Sequence, residues 1–245
     1  EDSCFFSTDM FAFHNAFDLE FDKDPVSIFQ HFLFDYPLSD YSFLDKVNTL
    51  LPGHYISIRN SHFENIEYFS YFEKLVDQQK ISWVDTLKTI PDVFNNAVDT
   101  IISGKDKICA GLTSGFDSRT NLSRLATFPE KDTLYYSWGL PKSIELRVAS
   151  RVTKAFGLKY QPIYLTDDFE KKYEHFAHQS VILSNGKGPI SRANHAYGYD
   201  QLTYHANFFF TGLVGSELLK PRNCGGYMFT QLFLDLLNQS SVSER

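Results

Sequence analysis

Between positions 81 and 103 apolar residues return every three or four places: Val84, Leu87, Ile90, Val93, Phe94, Ala97 and Ile101. That is the period of one helical face, so the spacing predicts an amphipathic helix over 81–103 that carries Pro91 inside it. Shorter apolar runs then alternate with helical ones. A buried strand is predicted up to Leu112, then a strand over 134–137, a helix over 143–156 stopped at Gly157, a strand over 160–164, a helix over 168–178 and a strand over 208–210. Strand and helix in turn predict an α/β fold, a parallel sheet with helices on both faces. Residues 1–75 have another texture, aromatic and strand-prone with Pro25, Pro37, Pro52 and Gly53 as punctuation. They predict a partial α+β domain ahead of a second domain over 76–245. The Phe-rich runs around Phe5, Phe11 and Phe208 are expected in the core.

In open parallel sheets ligands lie beyond the carboxyl ends of the strands. At one such end stands Thr113-Ser114-Gly115-Phe116-Asp117-Ser118. A strand end followed at once by a helix start aims several N–H groups at one spot, and the helix dipole favours an anion there. Ser114 and Ser118 add hydroxyl donors, and Gly115 lets the chain turn tightly. A carboxylate beside a polyphosphate needs a cation between the two, which makes Asp117 a candidate magnesium ligand. The plain alternative is a capped strand-to-helix turn without a ligand. No Gly-Lys-Ser/Thr follows at the spacing of a Walker-type loop.

Ser114-Gly115-Phe116-Asp117-Ser118 resembles the Ser-Gly-Gly-x-Asp-Ser loop of ATP pyrophosphatases, shortened by one glycine if Thr113 takes the first position. Tyr136-Ser137-Trp138-Gly139-Leu140-Pro141-Lys142-Ser143-Ile144-Glu145-Leu146 resembles the second nucleotide segment of asparagine synthetases, with Glu145 in place of an aspartate. Thr211-Gly212-Leu213-Val214-Gly215-Ser216-Glu217-Leu218 is similar to that family's third segment, with Leu213 and Ser216 replacing two carboxylates. Leu50-Leu51-Pro52-Gly53-His54-Tyr55-Ile56-Ser57-Ile58 resembles the closing strands of its glutamine amidotransferase domain.

The resemblance to the asparagine synthetase family implies a PP-loop, adenine nucleotide alpha hydrolase-like domain preceded by a partial Ntn amidotransferase domain. It implies an AMP-forming ligase that activates a carboxylate such as aspartate for attack by ammonia or an amine, with ATP and Mg2+ as cofactors. By the same resemblance Thr113, Ser114, Gly115, Asp117 and Ser118 hold pyrophosphate and metal, with Asp117 the metal ligand. Trp138 and Gly139 line the adenine and ribose by their backbone, and Thr211 and Gly212 close the pocket. Trp138 adds ring stacking or serves the core. A homodimer and a cytoplasmic location are further expectations of the family. Glu1 opens the chain and Cys4 lies inside it, so the family's amino-terminal cysteine nucleophile has no counterpart. Glutamine hydrolysis is not expected, and the chain reads as a fragment or as a form with a degenerate amidotransferase half. The lost nucleophile and carboxylates also motivate a second reading, a nucleotide-binding or scaffolding homologue without turnover.

Composition narrows this only modestly. The 245 residues are 43% hydrophobic and 16% aromatic, enough for a packed core. A formal charge of −7 argues against a nucleic-acid partner, which calls for a basic face. Three distant cysteines, Cys4, Cys109 and Cys224, indicate neither a disulfide framework nor paired zinc ligands. No apolar run is long enough for a membrane span. His175 and His178 with His195 or His205 are a weak candidate metal group, lacking carboxylate or cysteine partners. Two further readings are open: Ser184–Pro189 as a loop over the site with Lys187 on a phosphate or as a plain turn, and Arg119 on a phosphate or covering its helix. The charged cluster Asp167, Asp168, Glu170, Lys171 and Lys172 is expected to be a solvated helix start, with its acids placed to suit the dipole.

Overall fold

Successive residues of the two central strands belong to opposite cores, as the two-residue period of a strand covered on both sides requires. In β3 (Lys107–Gly111) Ile108 and Ala110 join one cluster while Cys109 joins the other. In β4 (Asp132–Gly139) Tyr135 joins the first, and Leu134 and Tyr136 join the second. The computed structural model describes residues 5–12, 21–34, 36–60, 62–70 and 82–212. The chain divides into two units, Glu1–Thr211 and Gly212–Arg245, and all described elements fall in the first.

The sheet has the order β5-β4-β3-β6, with β5 spanning Tyr160–Tyr164 and β6 spanning Phe209–Phe210. All three pairings are parallel, with Cys109 opposite both Leu134 and Phe209. The α/β expectation therefore holds for the described sheet. Over one face lie α2 (Trp83–Ile102), α3 (Phe116–Leu125) and α4 (Ile144–Phe156), which contribute Val98, Ile102, Leu122, Leu125 and Ala149. Over the other lie α5 (Asp167–Leu183) and α6 (Ala193–Asp200), with Phe176, Ala177 and Tyr197. Each large side chain fully removed from water, such as Ile108 or Leu202, contributes about 1.5–3 kcal/mol.

Helix ends follow local chemistry. Ser82 caps α2 by accepting from the Asp85 N–H at 3.1 Å, and Gly157 ends α4 with φ of +65°. Asp167, Asp168 and Glu170 crowd the first turn of α5, where the dipole favours them. Asp168 does more than face solvent. It pairs with Lys172 at 3.0 Å and accepts from the Tyr197 hydroxyl at 3.0 Å, tying α5 to α6.

The amino-terminal part contains α1 (Pro25–Phe34) and an antiparallel hairpin of β1 (His54–Arg59) and β2 (His62–Glu67). Gly53 enters the hairpin with φ of +76°, and its carbonyl accepts from the N–H groups of Tyr68 and Phe69. A Cβ there would come 2.1 Å from the Phe69 carbonyl oxygen, so the Pro-Gly-His turn requires glycine. The amidotransferase-like character expected of 1–75 receives no support from this hairpin alone. Phe5, Phe6 and Phe11 are exposed, not core as expected. Their segment is held by polar bonds instead. Asn185 accepts from the Met10 N–H at 2.9 Å and donates to the Thr8 carbonyl at 3.2 Å, so 5–12 adheres through its backbone without burying its rings. Phe208 does pack against the first core.

Candidate functional site

β3 carries the chain to the carboxyl rim of the sheet, and α3 starts five residues later. Between them Thr113–Ser118 closes on itself. The Ser118 hydroxyl, 7% exposed, accepts from the Thr113 N–H at 3.0 Å and lies 3.1 Å from the Thr113 hydroxyl. Thr113 Oγ1 in turn accepts from the Gly115 N–H at 3.1 Å. Gly115 is the N-cap of α3, in extended conformation. These bonds commit the Thr113 and Ser118 hydroxyls to shaping the turn.

Ser114 is arranged differently. Its N–H donates to Glu145 Oε2 at 3.1 Å, and its hydroxyl donates to the same oxygen. Glu145 stands in the first turn of α4, so the loop after β3 and the loop after β4 meet at the rim. A parallel sheet makes this meeting local: β3 and β4 are adjacent, and their carboxyl ends lie side by side. Two of the three segments singled out in the sequence are thereby brought together.

Gly139, at the end of β4, faces the turn into α4. A Cβ there would lie 2.8 Å from Ser143 Oγ, so any larger residue would make that hydroxyl turn away. Ser143 is the N-cap of α4, yet its hydroxyl makes no capping bond and is buried without a hydrogen-bond partner. A buried orphan hydroxyl beside Gly139 is the feature at this rim that an oxygen-rich ligand would satisfy.

Thr211 follows β6, the other neighbour of β3. Its carbonyl accepts from Asn121 Nδ2 at 3.2 Å, which fastens the end of β6 to α3. Gly212 is the first residue of the second unit. Leu213 and Ser216 lie outside the described residues, as do Cys4 and Cys224. Asp117 is half-buried in the first turn of α3. Among the described residues no three of His, Cys, Asp and Glu gather as a metal centre. Magnesium held mainly by phosphate oxygens needs only one or two protein carboxylates, and Asp117 suits that donor set.

Trp138 has its ring committed to an aromatic group. It stacks on Tyr136 at 5.5 Å and meets Tyr199 at 5.6 Å and His195 at 4.9 Å. Gly198 in α6 admits it so closely that a Cβ would stand 2.5 Å from the indole. Of the two roles expected for this ring, the geometry matches the core. Burial holds His195 below its ordinary pKa, with the nearby Arg192 charge adding to the effect. His205 Nε2 lies 3.1 Å from the Asp132 carbonyl. Arg119 donates to the Gly115 carbonyl at 3.3 Å and lies 4.5 Å from the Phe116 ring centre, so it covers its own helix start. Lys187 reaches not a rim loop but the Thr49 hydroxyl, at 3.2 Å.

A cavity of about 560 Å3 lies on the outer flank of α4, between Lys142, Arg147 and Arg151 on one side and Tyr160, Pro162 and Tyr164 on the other. None of Thr113–Ser118 lines it. Sequence reasoning had no signal for this cavity, because Tyr160 and Pro162 come from an edge strand whose position depends on the sheet order.

No protein-family model matches the chain, and no curated protein matches it. Among solved structures it is similar to an NH3-dependent NAD synthetase from Campylobacter jejuni subsp. jejuni in complex with the nitrate ion, with a TM-score of 0.37 and 19% identity over 57% of this chain. The chain spans 60% of that structure's length. No helix among the described residues is long and apolar enough to cross a membrane.

Proposed function

We propose that the chain is the nucleotide-binding part of an ATP-dependent, AMP-forming amide ligase similar to asparagine synthetases. The observation that carries this reading is the meeting of the Ser114 loop with the β4–α4 turn, where the Ser114 N–H and hydroxyl both donate to an anionic oxygen. Groups that donate to a carboxylate oxygen in this way suit a phosphate oxygen equally well. In this reading Ser114 holds the pyrophosphate moiety, and Thr113, Gly115 and Ser118 keep the loop in shape. Asp117 carries the magnesium, which supplies charge neutralisation on the phosphates. The backbone around Trp138 and Gly139 flanks the nucleoside, with Thr211 beside it.

The reaction is an adenylyl transfer followed by an acyl transfer. A carboxylate oxygen of an aspartate-like acid attacks the α-phosphorus and pyrophosphate leaves. Ammonia or an amine then attacks the acyl carbon, and AMP departs with the bonding pair. Such chemistry is served mainly by positioning and charge stabilisation, which matches a site rich in donors.

The test is carboxylate-dependent exchange of labelled pyrophosphate into ATP on the full chain, with aspartate first among the acids. Exchange that Ser114→Ala lowers by about tenfold or more supports the ligase. ATP binding without exchange for any acid supports the second reading, a nucleotide-binding homologue without turnover. That alternative has its own motive in Glu145, which holds both donors of Ser114 in the structure.

A further inference from the structure

Glu145 comes from a different segment than the loop it touches, 31 residues further along the chain. One of its oxygens takes both donors of Ser114, the N–H and the hydroxyl. Thr113 N–H and Gly115 N–H are meanwhile used inside the loop, on Ser118 Oγ and Thr113 Oγ1. Ser114 is therefore a position where the loop presents donors outward, and a carboxylate stands on it. Both residues are half-buried, so water screens the contact less than it would at the surface. The first turn of α4 also favours a negative side chain, which helps hold Glu145 in place.

Resting on the pyrophosphate reading above, we propose that Glu145 determines which form of polyphosphate the loop accepts, admitting the metal complex and turning away the metal-free anion. A bare polyphosphate must evict one anion from Ser114 and then lie beside it. Like charges in a half-buried setting oppose that strongly. A divalent cation arriving with the phosphates reverses the sign: the carboxylate leaves Ser114 and gains a positive partner within reach. Selection for the metal complex thus comes from a side chain that occupies the phosphate position and needs a cation to give it up.

The experiment is titration calorimetry of inorganic pyrophosphate into the full chain, once with EDTA and once with excess Mg2+, for wild type, Glu145→Gln, Glu145→Ala and Ser114→Ala. Glutamine preserves an acceptor for Ser114 without the charge, and alanine removes both. Wild type is expected to prefer the magnesium form. Both Glu145 variants are expected to bind metal-free pyrophosphate about tenfold or more tightly than wild type, so that the preference collapses. A preference unchanged in both variants overturns the proposal, and so does loss of the magnesium form alone, which would make Glu145 a ligand of the complex. If wild type binds neither form, the pyrophosphate reading itself fails and takes this one with it. Binding by wild type that Ser114→Ala abolishes keeps that reading, whatever the Glu145 variants do.

Discussion

Trp138 and Gly198 show how one missing side chain fixes the distance between a strand and a helix. The indole lies where a Cβ of residue 198 would be, and Tyr136, Tyr199 and His195 prevent it from moving aside. Gly198→Ala should therefore cost about 1–3 kcal/mol, the usual penalty for overfilling a packed interior, and lower the melting temperature accordingly. His195, against the same indole, gives a pH dependence with a definite sign. Burial lowers its folded-state pKa below the unfolded value near 6.5, so the unfolded chain binds the proton more readily. Stability should be full above about pH 6.5 and fall as pH drops from there toward the depressed value. His195→Phe should flatten melting curves between about pH 8 and about pH 5.5. Asp99, Asp132 and Asp168 are held below the usual carboxylate range by Arg124, by Lys159, and by Lys172 with Tyr197. Their contributions are present above an ordinary carboxylate pKa and lost only at more acid pH. At this scale the sequence exposed the donors of 113–118, because hydroxyls and a glycine at a strand end are a local pattern. It did not expose the partner of Ser114, because the bond to Glu145 spans two connections of the sheet.

The helix over 81–103 was legible from its period, but its packed edge was not. Phe94, Val98 and Ile102 meet the core, whereas Leu87, Ile90, Val93 and Ile101 stay exposed among the described residues. Val98 and Ile102 lie beside the apolar stripe that the spacing picks out, and a stripe wider than its contact does not say which side the sheet takes. The end of α2 is settled by a cation from elsewhere. Lys131 Nζ donates to the carbonyls of Ile102 at 3.2 Å and Lys105 at 2.7 Å, where the negative end of the helix dipole attracts it. Lys131→Met, which keeps the apolar stem, should destabilise by about 1 kcal/mol. Thermal or denaturant unfolding will measure it. The strands were legible for a different reason: β4 and β5 are short, aromatic and bounded by glycine, proline or charge. α6 and the two amino-terminal strands' partnership gave weaker signals, since Ala193–Asp200 has almost no amphipathic pattern and pairing is not written in either strand alone.

Across the first unit, the turn at 184–188 links what the sequence treats as separate. Asn185 holds 5–12 at two points, Lys187 bonds Thr49, and Gly186 lies beside Phe43 and Met10. Asn185 has φ of +54°, which glycine also tolerates, so Asn185→Gly removes the two bonds without straining the backbone. Hydrogen exchange at the Met10 amide should then rise by about tenfold, with the amides of β3 and β4 unchanged. Only the alternation of elements announced the sheet. Its order, β5-β4-β3-β6, places a late strand beside an early one, and no local signal carries that pairing. The same order gives the interior of the first unit a built-in clock. Cys109 sits in a strand with neighbours on both sides, wholly out of solvent, and burial pushes its thiol up to about 11. An alkylating reagent that needs a thiolate can reach it only after β3 comes free. The pace of carboxymethylation at this one sulfur, followed by peptide mass spectrometry, therefore times how often the sheet of the first unit comes apart.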